Sequence, residues 1–185
     1  MEEQRKNQQR FQNKVNNAQG HFFEQFINGG CMYYKSKGIA VIEKMPEPFR
    51  VIKKDPTTNI ATVRFTKTAQ PDFIGTLKNG RAIVFEAKKT TTDRMKYDVL
   101  TETQIEALEK HWQAGAVTGV CAGIGDLSYF IPWEIWRDMK KLFKRKYMTA
   151  AEAEPWRVRF NGLILFLNYI HDEARLDNEL IGYGK

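Results

Sequence analysis

The stretch Gln70-Pro71-Asp72-Phe73-Ile74-Gly75-Thr76-Leu77-Lys78-Asn79-Gly80-Arg81-Ala82-Ile83-Val84-Phe85-Glu86-Ala87-Lys88 decides how the chain is read. Phe73–Leu77 and Arg81–Ala87 are strand-like runs around Lys78-Asn79-Gly80, a hairpin turn signal. Alternation along the return strand places Glu86 and Lys88 on one face and turns Ala87 away. The position of Asp72 depends on the turn. A two-residue Asn79–Gly80 loop pairs Lys78 with Arg81 and puts Asp72 opposite Ala87, on the wrong face. A three-residue loop with a left-handed Gly80 pairs Leu77 with Arg81 and puts Asp72 opposite Glu86. The longer loop is preferred, because it gathers two carboxylates and an ammonium at one spot without an added bulge. Phe73, Ile83 and Phe85 then line the opposite face as core.

Outward from this hairpin, strands and helices interleave. Upstream, Phe22, Phe23, Phe26 and Ile27 recur at helical spacing, followed by Tyr33 and Tyr34. The Gly29–Gly30 pair weakens that helix and allows a bend, and Gly38 ends it before the β-branched run Ile39–Ile42. Phe49–Lys53 and Ala61–Phe65 read as strands around the turn Asp55–Asn59. Downstream, Thr101 and Gln104 have capping-box spacing at the head of a helix whose buried stripe is Ile105, Leu108 and Trp112. Val117–Ile124 reads as a strand buried on both faces. Tyr129–Ile131 is a further short strand. Trp133–Tyr147 reads as a basic amphipathic helix with Trp136, Met139, Phe143 and Tyr147 inward. From Trp156 the reading divides between a hairpin turned at Asn161–Gly162 and a helix over Leu163–Leu180. The class expected is α/β (α+β), a mixed sheet flanked by helices.

Composition bounds the function. At 185 residues, 42% hydrophobic and 28% charged, the chain suits one globular domain. Residues 20–185 are read as that domain, with a short β-hairpin projection around 55–60. Residues 1–19 carry no aliphatic stripe and are read as a flexible basic arm. The net charge of +7 favours a polyanionic partner, nucleic acid before membrane. The longest apolar stretches, Gly162–Phe166 and Val117–Ile124, fall far short of a membrane span, and the first eighteen residues do not resemble a signal peptide. Cys31 and Cys121 suit neither a disulfide framework nor a zinc site, and are read as inert buried thiols of a cytoplasmic protein. His21, His111 and His171 show no metal-ligand spacing.

Two carboxylates a few ångströms apart repel unless a hard dication joins them. Mg²⁺ suits such a pair, since it keeps several waters and takes one or two carboxylates plus a substrate phosphate. Lys88 in the same place would hold a water or offset phosphate charge. The reaction implied is phosphodiester hydrolysis, with no small-molecule cofactor. The Glu-x-Lys spacing alone arises about once in a chain of this length by chance. Its alternative is an exposed strand with a cross-strand charge pair. Three charges set among apolar residues favour the functional reading.

The arrangement Pro71-Asp72 … Glu86-Ala87-Lys88 resembles the PD-(D/E)xK nuclease superfamily and, more narrowly, the RecU-type Holliday junction resolvases. The likeness takes in Gly20–Glu24 at a helix start, and Tyr33-Tyr34 followed by Gly38-Ile39-Ala40-Val41-Ile42. It continues through Lys44-x-Pro46-x-Pro48, Phe85-Glu86-Ala87-Lys88 and Gln104, covering roughly Gly20 to Trp136. The resemblance implies a restriction-endonuclease-like fold, a homodimer, Mg²⁺ or Mn²⁺, and paired cuts across four-way (Holliday) DNA junctions. Asp72 and Glu86 match its metal ligands, Lys88 its catalytic lysine, Glu24 an acid presented by the first helix, and Gln104 a glutamine near the site. Gln70-Pro71 stands where the family often has hydroxyl residues. The projection tipped by Asp55–Ile60 is short for the family's stalk, which bears on junction preference. So compact a version fits a phage or prophage protein, in a bacterium or a phage-infected host. The alternatives are another PD-(D/E)xK nuclease, of restriction or flap- and single-strand-trimming type, and a non-catalytic DNA-binding relative. Arg5, Lys6, Arg10 and Lys14 on the arm, and Lys140, Lys141 and Lys144 on the basic helix, are the candidate phosphate contacts.

Overall fold

A computed structural model describes residues 2–66 and 70–171, with side chains from Ala18 onward. The chain runs α1 (Glu2–Ser36), β1 (Ala40–Lys44), β2 (Phe49–Lys54), β3 (Ala61–Phe65), β4 (Phe73–Leu77) and β5 (Ala82–Thr90). It continues with β6 (Arg94–Lys96), a 3₁₀ turn at Tyr97–Val99, α2 (Glu102–Gln113), β7 (Val117–Ile124) and β8 (Leu127–Pro132). Then come α3 (Trp133–Arg137), α4 (Met139–Phe143), β9 (Tyr147–Thr149), α5 (Ala150–Ala153), β10 (Val158–Phe160) and β11 (Ile164–Tyr169).

The central sheet has the order β1-β4-β5-β7-β8, with β5 and β7 parallel and the other neighbours antiparallel. This is the mixed α/β architecture the sequence implies. Every residue of β7 is buried, as its unbroken apolar run requires of a strand covered on both faces. One face of the sheet packs under α1 and β11, where Phe23, Ile27, Tyr34, Phe73, Phe85 and Phe166 form a core. Phe73 and Phe85, opposite each other on β4 and β5, stack with centroids 4.9 Å apart. The other face packs under α2 and α3, where Val84, Leu108, Val120, Trp133 and Trp136 form a second core. Cys31 and Cys121 are buried free thiols. No described helix is long and apolar enough to cross a membrane.

Two elements differ from the sequence reading. The first helix begins at Glu2, not near His21, so the backbone of the expected arm is helical from its second residue. Glu, Gln, Lys and Arg are good helix formers and need no apolar stripe to extend an existing helix. The Gly29–Gly30 pair does not end α1. It lets β11 cross closely, because a Cβ on Gly30 would lie 2.1 Å from the carbonyl oxygen of Ile164. The single basic helix expected over Trp133–Tyr147 is broken into α3 and α4, and Lys144 takes φ +60°. Five like charges crowd one helix unfavourably. Stopping at Lys144 also frees Tyr147–Thr149 to pair with β6 and buries Met148 beside Met95. At the C-terminal end of the described chain, the hairpin alternative holds: β10 and β11 pair around Gly162 at φ +89°. Residues 172–185 of the helical alternative lie outside the described residues.

Candidate active site

The β4–β5 hairpin has the three-residue loop. Gly80 sits at φ +85°, and its N–H and that of Leu77 close the turn, donating to the carbonyls of Leu77 and Arg81 at 2.8 Å. Phe73 pairs with Phe85 and Thr76 with Ala82, a register that carries Asp72 opposite Glu86. Both carboxylates and the Lys88 ammonium therefore meet. Lys88 Nζ lies 3.3 Å from Glu86 Oε2 and 3.8 Å from Asp72 Oδ2, and Asp72 Oδ2 accepts the Ala87 N–H at 2.9 Å.

Glu86 has no exposed surface, although its neighbours Asp72 and Gln104 line a cleft. Its Oε2 accepts from Lys88 Nζ and, at 2.5 Å, from Gln104 Nε2, while its Oε1 is buried with no hydrogen-bond partner. Burial first, and the neighbouring Asp72 charge second, push the Glu86 carboxyl well above the usual carboxylate range, and Lys88 pulls it back only partly. An orphaned acceptor beside a second carboxylate is an arrangement that a hard cation would complete. The donor set fits Mg²⁺ or Mn²⁺ in its chemistry: two carboxylates, with the remaining positions left to water and phosphate. Among the described residues, no group of three or more His, Cys, Asp or Glu side chains is placed to hold a metal.

Gln104 reaches Glu86 because of how α2 starts. Thr101 Oγ1 accepts the Gln104 N–H, and Gln104 Oε1 accepts the Thr101 N–H at 3.1 Å, a reciprocal capping box. With the amide oxygen committed to the cap, Nε2 must face outward, toward Glu86. The capping spacing was legible in the sequence. That the same side chain also orients an acid eighteen residues away was not.

Glu24 stands apart from the carboxylate pair. It forms an ion pair with Lys44 at the end of β1, and the two line a cleft of about 430 Å³ with Asp72, Gln104, Pro46 and Pro48. The Asp72 carbonyl accepts the Met45 N–H at 2.8 Å, which ties the proline-bearing segment to the hairpin and makes it a wall of the cleft. Lys44 as the partner of Glu24 had no sequence signal, since the two lie twenty positions apart on different elements. His21 also lines this cleft, and His171 bonds Glu154 at 2.8 Å. Lys140, Lys141 and Lys144 are exposed around α4, whereas the side chains of Arg5, Lys6, Arg10 and Lys14 lie outside the described residues.

The Holliday junction resolvase RecU of Streptococcus sanguinis is 36% identical over 95 residues, which are 49% of this chain and 47% of that protein. The Holliday junction resolvase RecU of Streptococcus equi subsp. zooepidemicus is 40% identical over 75 residues, 38% of this chain and 37% of that one. These alignments thus span about half the length of the relatives, or less. Among solved structures, Hjc of Archaeoglobus fulgidus, a Holliday junction resolvase, is a distant likeness: TM-score 0.44 and 11% identity, over 69% of this chain and 88% of that one. The sequence also matches the family Recombination protein U (RecU) over residues 18–171, a span that takes in the second half of α1, the carboxylate hairpin, the Gln104 helix and both cores. The chain belongs to the Recombination protein U family.

Proposed function

We propose that this protein is a metal-dependent, structure-selective endonuclease that resolves four-way DNA junctions by paired phosphodiester hydrolysis. The observation that carries the reading is the meeting of Asp72 with a fully buried Glu86 whose Oε1 lacks a partner, in a chain of the RecU family. Asp72 and Glu86 would hold Mg²⁺, with Mn²⁺ as a substitute. Bound there, such an ion lowers the pKa of water and neutralises charge growing on the phosphate.

The protein's own groups do the rest. Gln104 fixes one Glu86 oxygen, so the carboxylate enters the reaction pre-oriented. The Lys88 ammonium, within reach of both acids, holds the attacking water or screens the phosphate oxygens. Glu24 and Lys44 form the far wall, where a DNA strand entering the cleft would meet them. Water adds across one P–O bond, leaving a phosphate monoester on one fragment and a hydroxyl on the other. The exposed β2–β3 hairpin adds cations that would meet the DNA backbone. Its strands carry Arg50, Lys53, Lys54 and Arg64 exposed, and Asp55 closes its tip by accepting the Thr57 N–H at 2.9 Å.

The test is purified protein with Mg²⁺ against a four-way junction, linear duplex, flap and single strand. The expected result is paired cuts in the junction and little cleavage of the others. Asp72→Asn and Glu86→Gln should each lower cleavage by on the order of 100-fold or more, while junction binding persists, because each removes an anionic ligand but keeps shape. Near-normal cleavage by either variant removes the assigned site, and cleavage of linear duplex or flap in preference to the junction replaces the resolvase reading with the more general nuclease one.

A further inference from the structure

β6 and β9 form a small ribbon outside the central sheet, in the register Arg94↔Thr149, Met95↔Met148, Lys96↔Tyr147. Alternation turns Met95 and Met148 into the second core, where both are buried. Arg94, Lys96 and Tyr147 are left on the outer face. Lys144, Arg145 and Lys146 lead directly into β9. Residues 94–96 and 144–147 thus hold five cations in seven positions and no acid.

These cations fall into two groups. Arg145 gives a bidentate pair to Glu152 at 2.6 and 2.7 Å, and its guanidinium lies 4.5 Å from the centre of the Tyr147 ring. Arg94 pairs with Asp93 and lies 5.2 Å from the same ring centre. Both arginines hold the tyrosine and the ribbon in place. Lys96, Lys144 and Lys146 are exposed and form no ion pair with any described residue, although Lys146 Nζ lies 6.0 Å from the centre of the Tyr97 ring. Uncompensated like charge concentrated on one face opposes compactness and attracts a polyanion.

The ribbon's position gives the charge a use. Arg94 follows Lys88 by six residues, and Gln104 follows Lys96 by eight. The chain therefore leaves the carboxylate site, forms one strand of the ribbon and returns to the site. Six extended residues reach at most about 20 Å. At about 3.4 Å per nucleotide, that distance is roughly six steps along one strand of duplex DNA.

We propose that the β6–β9 ribbon, with Lys96 on its outer face and Lys144 and Lys146 on the segment that enters β9, is a phosphate track that holds one duplex arm of the substrate beside the cleavage site. The inference rests on the nuclease reading above, and it adds a surface that the carboxylate cleft does not include. The ligand recognised is the DNA backbone, because exposed ammonium groups carry charge without base-reading geometry.

Fluorescence anisotropy in EDTA, with a labelled four-way junction and a labelled linear duplex over a range of NaCl, tests it. Lys96→Gln/Lys146→Gln should bind both DNAs about tenfold more weakly and show a log–log salt slope shallower by about 1.8, about 0.9 for each phosphate no longer neutralised. Lys96→Arg/Lys146→Arg should keep wild-type affinity and slope. Unchanged affinity and slope in the glutamine variant, or an equal loss in the arginine variant, overturns the track. Two further outcomes separate this inference from the function it rests on. If wild-type protein shows no preference for the junction, yet the glutamine variant weakens on both DNAs, the track stands and the resolvase reading falls. If wild-type protein binds neither DNA, both fall.

Discussion

At the scale of single residues, Glu86 sets two demands against each other. A carboxylate with no exposed surface is costly to charge, and the nearby Asp72 adds to that cost. Its folded pKa therefore lies above its unfolded value, so its proton is bound more tightly in the folded state. The associated stability is fully present below the unfolded pKa and is lost as pH rises through the folded one. In metal-free protein, the melting temperature should thus decline from about pH 5 toward about pH 9 through this group. Glu86→Gln should flatten that decline and melt higher than wild type at the alkaline end, even as it abolishes cleavage. Thermal melts of chelator-treated protein decide the matter, and a parallel pH dependence in both proteins would show that Glu86 is not the buried charge responsible. The meeting of Glu86 with Asp72 was legible in the sequence, because Lys78-Asn79-Gly80 offers a left-handed glycine where a three-residue hairpin loop needs one. The Glu24–Lys44 pair was not, because it is made by the packing of α1 against the end of β1 and leaves no mark in the periodicity of either.

Elements show where local pattern suffices and where tertiary contact overrides it. β7 was readable from its unbroken apolar run, and α2 from its capping box. α4 and β9 were not, since hydrophobic spacing over Trp133–Tyr147 suits one helix equally well. The choice was made by Met95, which offers Met148 a buried partner across the ribbon. The glycines of α1 make a sharper case. Gly20 has nothing within 4 Å of where a Cβ would stand, whereas at Gly30 the Ile164 carbonyl oxygen already occupies the space. Gly20→Ala should therefore stabilise, by about 1 kcal/mol from helix propensity, or roughly 2–4 °C in melting temperature. Gly30→Ala should do the reverse despite the same propensity gain, costing about 1–3 kcal/mol because α1 and β11 must separate. Differential scanning calorimetry of the two variants measures both. A stabilised Gly30→Ala would mean that β11 does not hold α1 at this distance.

At the scale of the whole molecule, the chain carries one Asp72–Glu86–Lys88 set, and a four-way junction has two strands to cut. A two-fold homodimer supplies two sites in the symmetry of the substrate. The surface of α1 offers the material for such an interface. Phe22 is 59% exposed and Met32 67%, and Phe26 and Tyr33 share the helical stripe of Phe22 while remaining over a third exposed. Phe26 also meets Phe160 of β10 edge to face at 5.3 Å, which continues the apolar surface beyond the helix. Phe23 and Tyr34, on the same helix, are buried in the core. The Tyr34 hydroxyl donates to Asn168 and accepts from the Leu167 N–H. Sedimentation equilibrium at micromolar concentration should accordingly give about twice the 21.5 kDa chain mass. Phe22→Glu should shift the protein to the single-chain mass with its melting temperature nearly kept, because the side chain it replaces is largely outside the fold. That monomer should nick one strand of a junction and lose the paired cut. A wild-type protein that sediments as a single chain, even with junction bound, would leave α1 without a partner and favour one cut per encounter over concerted resolution.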